Sequence, residues 1–208
     1  MDKPEVTIVD YGAGNLRSVE RAVEHVGGAA RITSDPETVG DAGILVLPGV
    51  GAAADTMHNL EKRRLAGPIR DYIASGRPFL GICMGLQALM TESEEGGLQK
   101  CLDILPGRVV RLPEGLKVPH MGWNRVDIAD GHPALPRAIS GQYFYFVHPY
   151  YADPTESSIV AGWTDYGVRF PSIVARENLI ATQFHPEKSG DVGLSIYAGF
   201  IEWATNHG

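Results

Sequence analysis

The fold is decided by the segment PFLGICMGLQALM, which runs from Pro78 to Met90. Its first part, up to Ile82, is a continuous apolar run of the kind found in buried parallel strands. The part that begins at Cys83 predicts a tight turn that opens a helix. A buried strand that leads directly into a helix is typical of a parallel α/β sheet.

The rest of the N-terminal half repeats this alternation of strand and helix. Each strand-like run is followed by a turn and then by apolar residues at helical spacing. One helical pattern stops at Gly27 and Gly28, and another begins near Asp35-Pro36. Strands are predicted at residues 6–9, 30–33, 43–47 and 78–82, with helices at residues 16–26, 53–64, 68–74 and 83–90 and a final helix whose apolar face carries Leu194, Tyr197, Ile201 and Ala204.

The region from residue 104 to about residue 183 has a different texture. It contains short strand-like pieces broken by Pro and Gly, such as residues 143–147 and 179–183. This pattern indicates an antiparallel sheet or extension. We therefore predict a single three-layer α/β domain over residues 1–208, with a mostly parallel central sheet, a nucleophile elbow and a small antiparallel extension.

Composition and charge exclude several classes of function. The 208 residues carry a formal charge of −7, and no basic run is longer than Lys62-Arg63-Arg64, so nucleic acid and anionic membranes are poor partners. The longest apolar stretch, around residues 42–48, is far shorter than the roughly 18 residues that a membrane helix needs. The charged first residues show no signal-peptide pattern, and we expect a cytoplasmic protein.

Cys83 is the candidate nucleophile. It lies where the strand becomes the helix, with Gly81 and Gly85 two residues away on either side, which is the spacing of a nucleophile elbow. At the N-terminus of a helix, the positive end of the helix dipole favours the thiolate over the thiol. The other cysteine, Cys101, has no such surroundings and is expected to be structural. Neither cysteine shows the ligand spacing of a zinc site, so no metal is expected.

His185 and Glu187 are the candidate base and the acid that orients it. A thiolate that attacks an amide needs a proton carrier for the leaving amine and a carboxylate that fixes the imidazole. Residues i and i+2 of an extended chain project to the same side, so Glu187 can reach the His185 ring. The sequence leaves open whether His185 and Cys83 meet in space. The competing histidines are His120, His132 and His148.

Two glycine-containing turns are candidate binding loops. The segment Pro48-Gly49-Val50-Gly51 follows a predicted central strand, and its N–H groups could stabilise an oxyanion, although an ordinary turn explains it equally well. The turn Gly12-Ala13-Gly14 lacks the third glycine of a dinucleotide fingerprint, because position 17 is Arg17. With no phosphate-binding loop either, no nucleotide cofactor is expected.

Taken together, the segments PGVG at residues 48–51, GICMG at 81–85 and HPE at 185–187 resemble the class I, or triad, glutamine amidotransferases. Further segments resemble a narrower family within that class, the glutaminase subunits of imidazole glycerol phosphate synthases. These segments are DYGAGNL at residues 10–16, MGWN at 121–124, YFVH at 145–148 and HPEKSG at 185–190. The likeness extends over essentially the whole chain.

The resemblance implies that glutamine is hydrolysed to glutamate and ammonia through a thioester on Cys83. His185 would relay protons and Glu187 would orient it. The oxyanion and substrate-binding residues that it implies are Gly49, Val50, Gly51, Met84, Gln87 and His148. It also implies a heterodimer with a (β/α)₈-barrel cyclase subunit, which receives the ammonia through a channel for histidine biosynthesis. Positions that match the subunit interface are Asn15, Trp123 and Lys188.

One position departs from the family pattern, and other functions remain open. Pro149 stands where the family usually has Ser after Val147-His148, and proline has no backbone N–H to offer a substrate or an oxyanion. A second candidate function is the glutaminase subunit of another pathway, such as pyridoxal phosphate, anthranilate or aminodeoxychorismate synthesis. A non-catalytic scaffold of the same fold and a free hydrolase or peptidase are further alternatives.

Overall fold

The computed structural model describes residues 3–12, 14–129 and 132–207, so Ala13 of the Gly12-Ala13-Gly14 turn lies outside the described residues. The strands are β1 (Glu5–Val9), β2 (Ala29–Thr33), β3 (Leu45–Leu47), β4 (Phe79–Ile82), β5 (Met90–Ser93), β6 (Gln99–Lys100), β7 (Leu105–Arg111), β8 (His120–Arg125), β9 (Asp127–Ile128), β10 (Tyr143–His148), β11 (Tyr150–Pro154), β12 (Val160–Asp165), β13 (Arg169–Arg176) and β14 (Leu179–Thr182). The helices are α1 (Leu16–His25), α2 (Pro36–Gly40), α3 (Ala53–Lys62), α4 (Ala66–Ala74), α5 (Met84–Gln87) and α6 (Gly190–His207). None of the helices in these ranges is long and apolar enough to cross a membrane.

The main sheet has the strand order β2-β1-β3-β4-β14-β13-β12-β9. Its first five strands pair in parallel, and the last three continue the sheet in antiparallel pairing. Two smaller sheets complete the described strands, with the orders β10-β8 and β11-β7-β5-β6. The predicted parallel sheet with an antiparallel extension is confirmed.

Helices cover both faces of the parallel part because successive strand residues point to opposite sides. In β1, Ile8 packs in a buried cluster with α1 and α6, whereas Val9 packs in the cluster formed with α3 and α4. In β4, Leu80 and Phe79 divide between the same two clusters. This alternation produces the three layers that the sequence predicted.

Local signals set several of the element boundaries as predicted. The side chain of Asp35 accepts a hydrogen bond from the N–H of Thr38 at 3.1 Å and so caps α2, while Pro36 occupies the first helical position. At the end of α1 the chain reaches Gly27, whose φ of 94° suits glycine and ends the helix.

The helix after the elbow is shorter than predicted. The sequence pattern predicted a helix over residues 83–90, but α5 ends at Gln87 and β5 begins at Met90. The reason is that the next carbonyl groups bond elsewhere. The carbonyl of Ala88 accepts from the N–H of Leu102 at 2.8 Å, and that of Leu89 accepts from the N–H of Ile104 at 2.9 Å. These bonds pull the chain out of the helix and into the second sheet.

Candidate active site

The elbow at Cys83 holds its residue in a strained conformation. Cys83 follows β4 with φ of 54° and ψ of −101°, in the region that L residues rarely adopt. Its N–H donates to the carbonyl of Thr182 at 2.7 Å, and its carbonyl accepts from the N–H of Leu86 at 3.0 Å. A Cβ on Gly85 would overlap the backbone carbonyl oxygen of Leu47, so only glycine fits beside β3. The predicted nucleophile elbow is therefore present.

His185 and Glu187 form the hydrogen-bonded pair that the sequence predicted. The His185 Nδ1 lies 2.8 Å from Oε1 of Glu187, and both side chains are buried. The His185 backbone is anchored, because its N–H donates to the carbonyl of Tyr145 at 2.9 Å and its carbonyl accepts from the Ser189 hydroxyl at 2.7 Å. These contacts set the ring orientation before any substrate binds.

The pairing of β4 with β14 brings His185 to Cys83. The two strands are parallel neighbours, with Ile82 opposite Thr182, and both candidate residues follow the carboxyl ends of their strands. Burial lowers the pKa of His185, but the negative charge of Cys83, followed by Glu187, outweighs it and raises the pKa to about 10. The Nε2 of His185 is buried without a hydrogen-bond partner. The site therefore favours an imidazolium beside the sulfur.

Asn15 and Tyr197 both interact with Glu187, and the sequence analysis connected neither of them with it. The Asn15 amide nitrogen donates to Oε1 of Glu187, from the N-terminal end of α1. Tyr197 of α6 is fully buried, and burial followed by the charge of Glu187 raises the pKa of its hydroxyl well above the usual value. Asn15 was predicted at a partner interface, and Tyr197 was predicted only as a core residue. Asn15, Glu187 and Tyr197 belong to separate elements, so no local sequence pattern shows that they interact.

The predicted oxyanion groups lie around the sulfur, but one N–H is already bonded. Val50, Gly51 and Met84 line the same cavity as Cys83. The Met84 N–H donates to the carbonyl of Gly49 at 3.5 Å, a long hydrogen bond. In this conformation the Met84 N–H faces a carbonyl oxygen and is not available to an incoming oxyanion.

The cavity beside Cys83 has a volume of about 290 Å³. It is the site of interest because larger grooves elsewhere, such as one of about 440 Å³ beside β5 and β7, contain no nucleophile paired with a base. Its lining residues are Val50, Gly51, Cys83, Met84, Gln87, Glu95, Val147, His148, Pro149, Tyr150 and Lys188. Five of the six predicted oxyanion and substrate residues are among them, and the sixth, Gly49, lies directly behind Met84.

Gln87 is held in the cavity wall by its amide nitrogen. Its Nε2 donates to the carbonyl of Tyr150 at 2.8 Å and to Oε1 of Gln183 at 3.1 Å. Gln183 in turn directs its own Nε2 at the sulfur of Cys83, at 3.6 Å. The side-chain oxygen of Gln87 accepts neither bond and is the atom left for a ligand. Sequence reasoning missed Gln183, which reads as the last residue of a buried strand.

Glu95 is a second residue that the sequence analysis missed. It lines the cavity, and its Oε2 accepts a hydrogen bond from the N–H of Ala53 at 2.6 Å. This bond fixes a carboxylate from the β5–β6 loop at the cavity, where it can receive a cationic group. No motif pointed to it, because a glutamate in an acidic loop is ordinarily solvated.

An exposed aromatic surface lies next to the cavity, and we call it the docking face. It consists of Met121, Trp123, Tyr143, Tyr145 and Lys188. Met121, Trp123 and Tyr143 are 61%, 57% and 56% exposed, which is unusual for large apolar side chains. The Tyr145 ring lies 6.3 Å from that of Trp123 and 5.9 Å from the Lys188 ammonium. Two of the three predicted interface residues therefore meet on this face, whereas the Asn15 side chain is turned toward Glu187.

A strand-to-helix elbow carrying a cysteine, with a buried histidine and glutamate beside it, is the arrangement of an enzyme that uses a thiol nucleophile. The sequence model of the family "Glutamine amidotransferase class-I" matches residues 7–201. The chain belongs to the class I glutamine amidotransferase family. The family predicted from the three motifs is thereby confirmed.

Similar proteins narrow the comparison within that family. The imidazole glycerol phosphate synthase subunit HisH of Syntrophotalea carbinolica is 53% identical over 202 residues, which cover 94% of this chain and 98% of the relative. The protein of the same name from Chloroflexus aurantiacus is 48% identical, with 96% of each chain covered. Among solved structures, PurLQS of Thermotoga maritima matches with a TM-score of 0.78 at 16% identity, covering 97% of this chain and 99% of that one, and shows the shared fold.

Proposed function

We propose that this chain is the glutaminase subunit of an imidazole glycerol phosphate synthase. It hydrolyses L-glutamine to glutamate and ammonia and passes the ammonia to a cyclase subunit for histidine biosynthesis in the cytoplasm. The observation that carries the proposal is that Cys83, which lines the cavity, interacts with a buried His185 that is hydrogen-bonded to Glu187. This arrangement occurs in a chain about half identical, over nearly its whole length, to relatives with that subunit name.

The chemistry uses Cys83 as nucleophile and His185 as proton carrier. The sulfur attacks the side-chain carbonyl carbon of glutamine, and the C–N bond breaks as His185 donates a proton to the leaving nitrogen. Ammonia leaves, and a thioester forms on the sulfur. His185 then takes a proton from water, whose oxygen attacks the thioester to give glutamate and free Cys83. Glu187 holds the ring through its 2.8 Å bond to Nδ1 and stabilises the imidazolium.

The tetrahedral intermediate requires donors for its oxyanion, and the candidates are the N–H groups of Val50, Gly51 and Met84. Because the Met84 N–H donates to the Gly49 carbonyl in this structure, that carbonyl must turn away for the donor to become available. We infer that turnover requires a local rearrangement of residues 49–51. Gly51 has a φ of 112°, a backbone conformation that glycine adopts without a steric clash, so this residue permits such a change.

The cavity suits the zwitterionic end of glutamine. We assign Glu95 to the α-ammonium group, because it is a carboxylate of the cavity wall that is fixed by the Ala53 N–H. Gln87 can accept from the same ammonium through its side-chain oxygen, and Lys188 provides positive charge for the α-carboxylate at the cavity edge. His148 and Pro149 form the opposite wall, where Pro149 contributes shape without a backbone N–H.

The docking face suits a protein partner, which we propose is the (β/α)₈-barrel cyclase subunit in a heterodimer. Aromatic residues and methionine are enriched at protein interfaces, and Trp123 and Met121 are exposed together here. Lys188 belongs both to this face and to the cavity, so a partner on the face lies close to where ammonia forms. Delivery through a channel matters because ammonia that escapes into water is protonated to ammonium, which is not a nucleophile.

The central test replaces the sulfur. Cys83→Ala should abolish glutamine-dependent synthesis by the complex while leaving synthesis from added ammonia intact, because the cyclase chemistry does not use this residue. The matched control is Cys101→Ala, since burial and the charge of Glu92 raise the pKa of that thiol to about 11 and keep it unreactive. Unchanged glutamine use by Cys83→Ala would refute the thioester mechanism.

A second experiment separates the proposed pathway from its alternatives. The chain should hydrolyse glutamine much faster when mixed with the cyclase subunit and its ribonucleotide substrate than when alone. No gain would overturn the assignment to this synthase and favour the glutaminase of another pathway. Steady turnover of glutamine without any partner would instead favour a free hydrolase.

Trp123→Ala should weaken the stimulation at limiting cyclase concentration, because Trp123 is the most prominent aromatic side chain of the docking face.

A further inference from the structure

A line of hydrogen bonds joins strand β8 of the docking face to the cavity through two buried histidines. The Asn124 Nδ2 lies 3.2 Å from Nε2 of His120, and Nδ1 of His120 lies 3.0 Å from Nε2 of His148. The His148 Nδ1 lies 2.8 Å from the carbonyl oxygen of Tyr150, which also accepts the bond from Gln87. Neither ring transfers a proton in the proposed reaction. Both residues are buried, with His120 3% exposed and His148 1% exposed.

The groups at the two ends decide the direction of every bond. The Tyr150 carbonyl can only accept, so Nδ1 of His148 carries the hydrogen and its Nε2, in a neutral ring, accepts. The His120 Nδ1 must then donate, and its Nε2 must accept from Asn124. The Asn124 amide is oriented independently, because Nδ2 also donates to the Asp165 carbonyl at 2.9 Å and Oδ1 accepts from the next backbone N–H at 2.8 Å. Both rings are therefore neutral Nδ1–H tautomers.

The surroundings keep the pair neutral and in place. A second proton on His148 would set two N–H groups against each other across 3.0 Å, and one on His120 would face the Asn124 amide N–H at 3.2 Å. Burial lowers the pKa of His148 to about 3 and that of His120 to about 4, and the charge of nearby His185 acts on His148 in the same direction. The His120 ring is stacked between Phe146 and Tyr166, with centroid distances of 4.8 Å and 4.0 Å.

One side of strand β8 belongs to the docking face, and the other side carries two residues of the hydrogen-bond line. Met121 and Trp123 are exposed on the docking face, whereas His120 is buried and Asn124 half-buried on the opposite face, as strand alternation requires. Two of the three hydrogen-bond donors of the line, on Asn124 and His120, therefore belong to the strand that carries Met121 and Trp123.

We infer that His120 and Asn124 are positioning residues that act on the cavity through the tautomer of His148. They hold His148 as a donor to the Tyr150 carbonyl, and this carbonyl holds the Gln87 amide at the cavity wall. The inference rests on the proposed function, because glutamine binding by Gln87 belongs to it.

The first test reads the tautomers directly. Long-range ¹H–¹⁵N NMR on the full chain, with His120→Gln and His148→Gln used for assignment, distinguishes Nδ1–H, Nε2–H and doubly protonated imidazole by their nitrogen shifts. We expect both rings to be neutral Nδ1–H at pH 7 and to remain so at pH 5.5. An Nε2–H tautomer or a charged ring at either position overturns the inference.

The second test separates positioning from packing in the complex with the cyclase subunit. His120→Phe keeps the ring stack but removes the N–H group that donates to Nε2 of His148, and the KM for glutamine should rise about tenfold with a smaller change in kcat. His120→Asn, whose amide offers an N–H near the Nδ1 position, should restore most of the affinity. The control Tyr166→Phe keeps the stacked ring and loses only its bond to the Lys117 carbonyl at 2.8 Å, so its KM should match the wild type.

The outcomes divide cleanly. If His120→Phe does not fold, His120→Gln replaces it, since it also lacks a donor at the Nδ1 position. A KM in these variants equal to that of Tyr166→Phe, or no rescue by His120→Asn, overturns the positioning role. A wild-type complex that hydrolyses no glutamine overturns the proposed function, whereas a hydrolysing complex with Nε2–H rings overturns only this inference.

Discussion

Acidification from about pH 7 to about pH 5 should destabilise the folded chain through His148. Burial lowers the folded-state pKa of His148 to about 3, against an ordinary value of 6.5. As the pH falls through 6.5 the unfolded chain binds a proton at this residue and the folded chain does not, so the stability that is present above pH 6.5 is lost. At 1.36 kcal/mol per pH unit for one proton, the loss is about 2 kcal/mol at pH 5.

Other buried histidines either add to this loss or leave it unchanged. His120 also has a lowered pKa, of about 4, which lies below this pH range, so it adds a loss of the same sign. His185 has a raised pKa of about 10, so below pH 6.5 it is protonated in both the folded and the unfolded chain. Its contribution is therefore constant in this window, and the pH dependence between 6.5 and 5 reports on the neutral pair.

Urea unfolding followed by circular dichroism at the two pH values measures the change in the free energy of unfolding. The wild type should lose about 2 kcal/mol through His148 and more in total, because His120 adds to the loss. His148→Gln should lose less on acidification, because the titrating ring is gone, while His58→Gln, a change at an exposed helix position, should behave as the wild type does. The reasoning is refuted if the wild type and His148→Gln lose the same amount.

Two further predictions concern the elbow and its electrostatics. Gly85→Ala should destabilise the chain by about 3 kcal/mol or more, because the new Cβ would overlap the Leu47 carbonyl, whereas Gly67→Ala in α4 meets nothing within 4 Å and should cost nothing; equal urea midpoints would contradict this. Cys83→Ala should lower the pKa of His185 by about one to three pH units, because the charge of Cys83 is the largest influence that raises it, and ¹⁵N NMR titration should detect the change. A His185 pKa that stays near 10 in that variant would show that the sulfur is not its charged neighbour.

Much of the fold was predictable because its signals are local. The run up to Ile82, the turn at Gly27 and the cap at Asp35 lie in short segments whose residue types limit the backbone directly. The hydrogen bond between His185 and Glu187 was predictable for the same reason, since the two residues are separated by a single proline. The end of α5 was not, because it depends on bonds from the carbonyls of Ala88 and Leu89 to a distant segment.

The candidate site shows the same division. The sequence motifs identified Cys83 as nucleophile and the cavity residues beside it, but they missed Glu95 and Gln183, whose positions depend on loop and strand packing. His148 was recognised through the family resemblance alone. Its tautomer became visible only when Asn124 and the Tyr150 carbonyl were placed at the two ends of one line.

By itself, the sequence determined which elements form and which residues carry reactive groups, because periodicity, glycine spacing and adjacent side chains act over a few residues. Only the tertiary structure decided that Cys83 and His185 meet. The parallel pairing of β4 with β14 sets the carboxyl ends of two strands side by side, although their residues are about a hundred positions apart. That order of strands is selected by the packing of the whole sheet, so no short segment contains it.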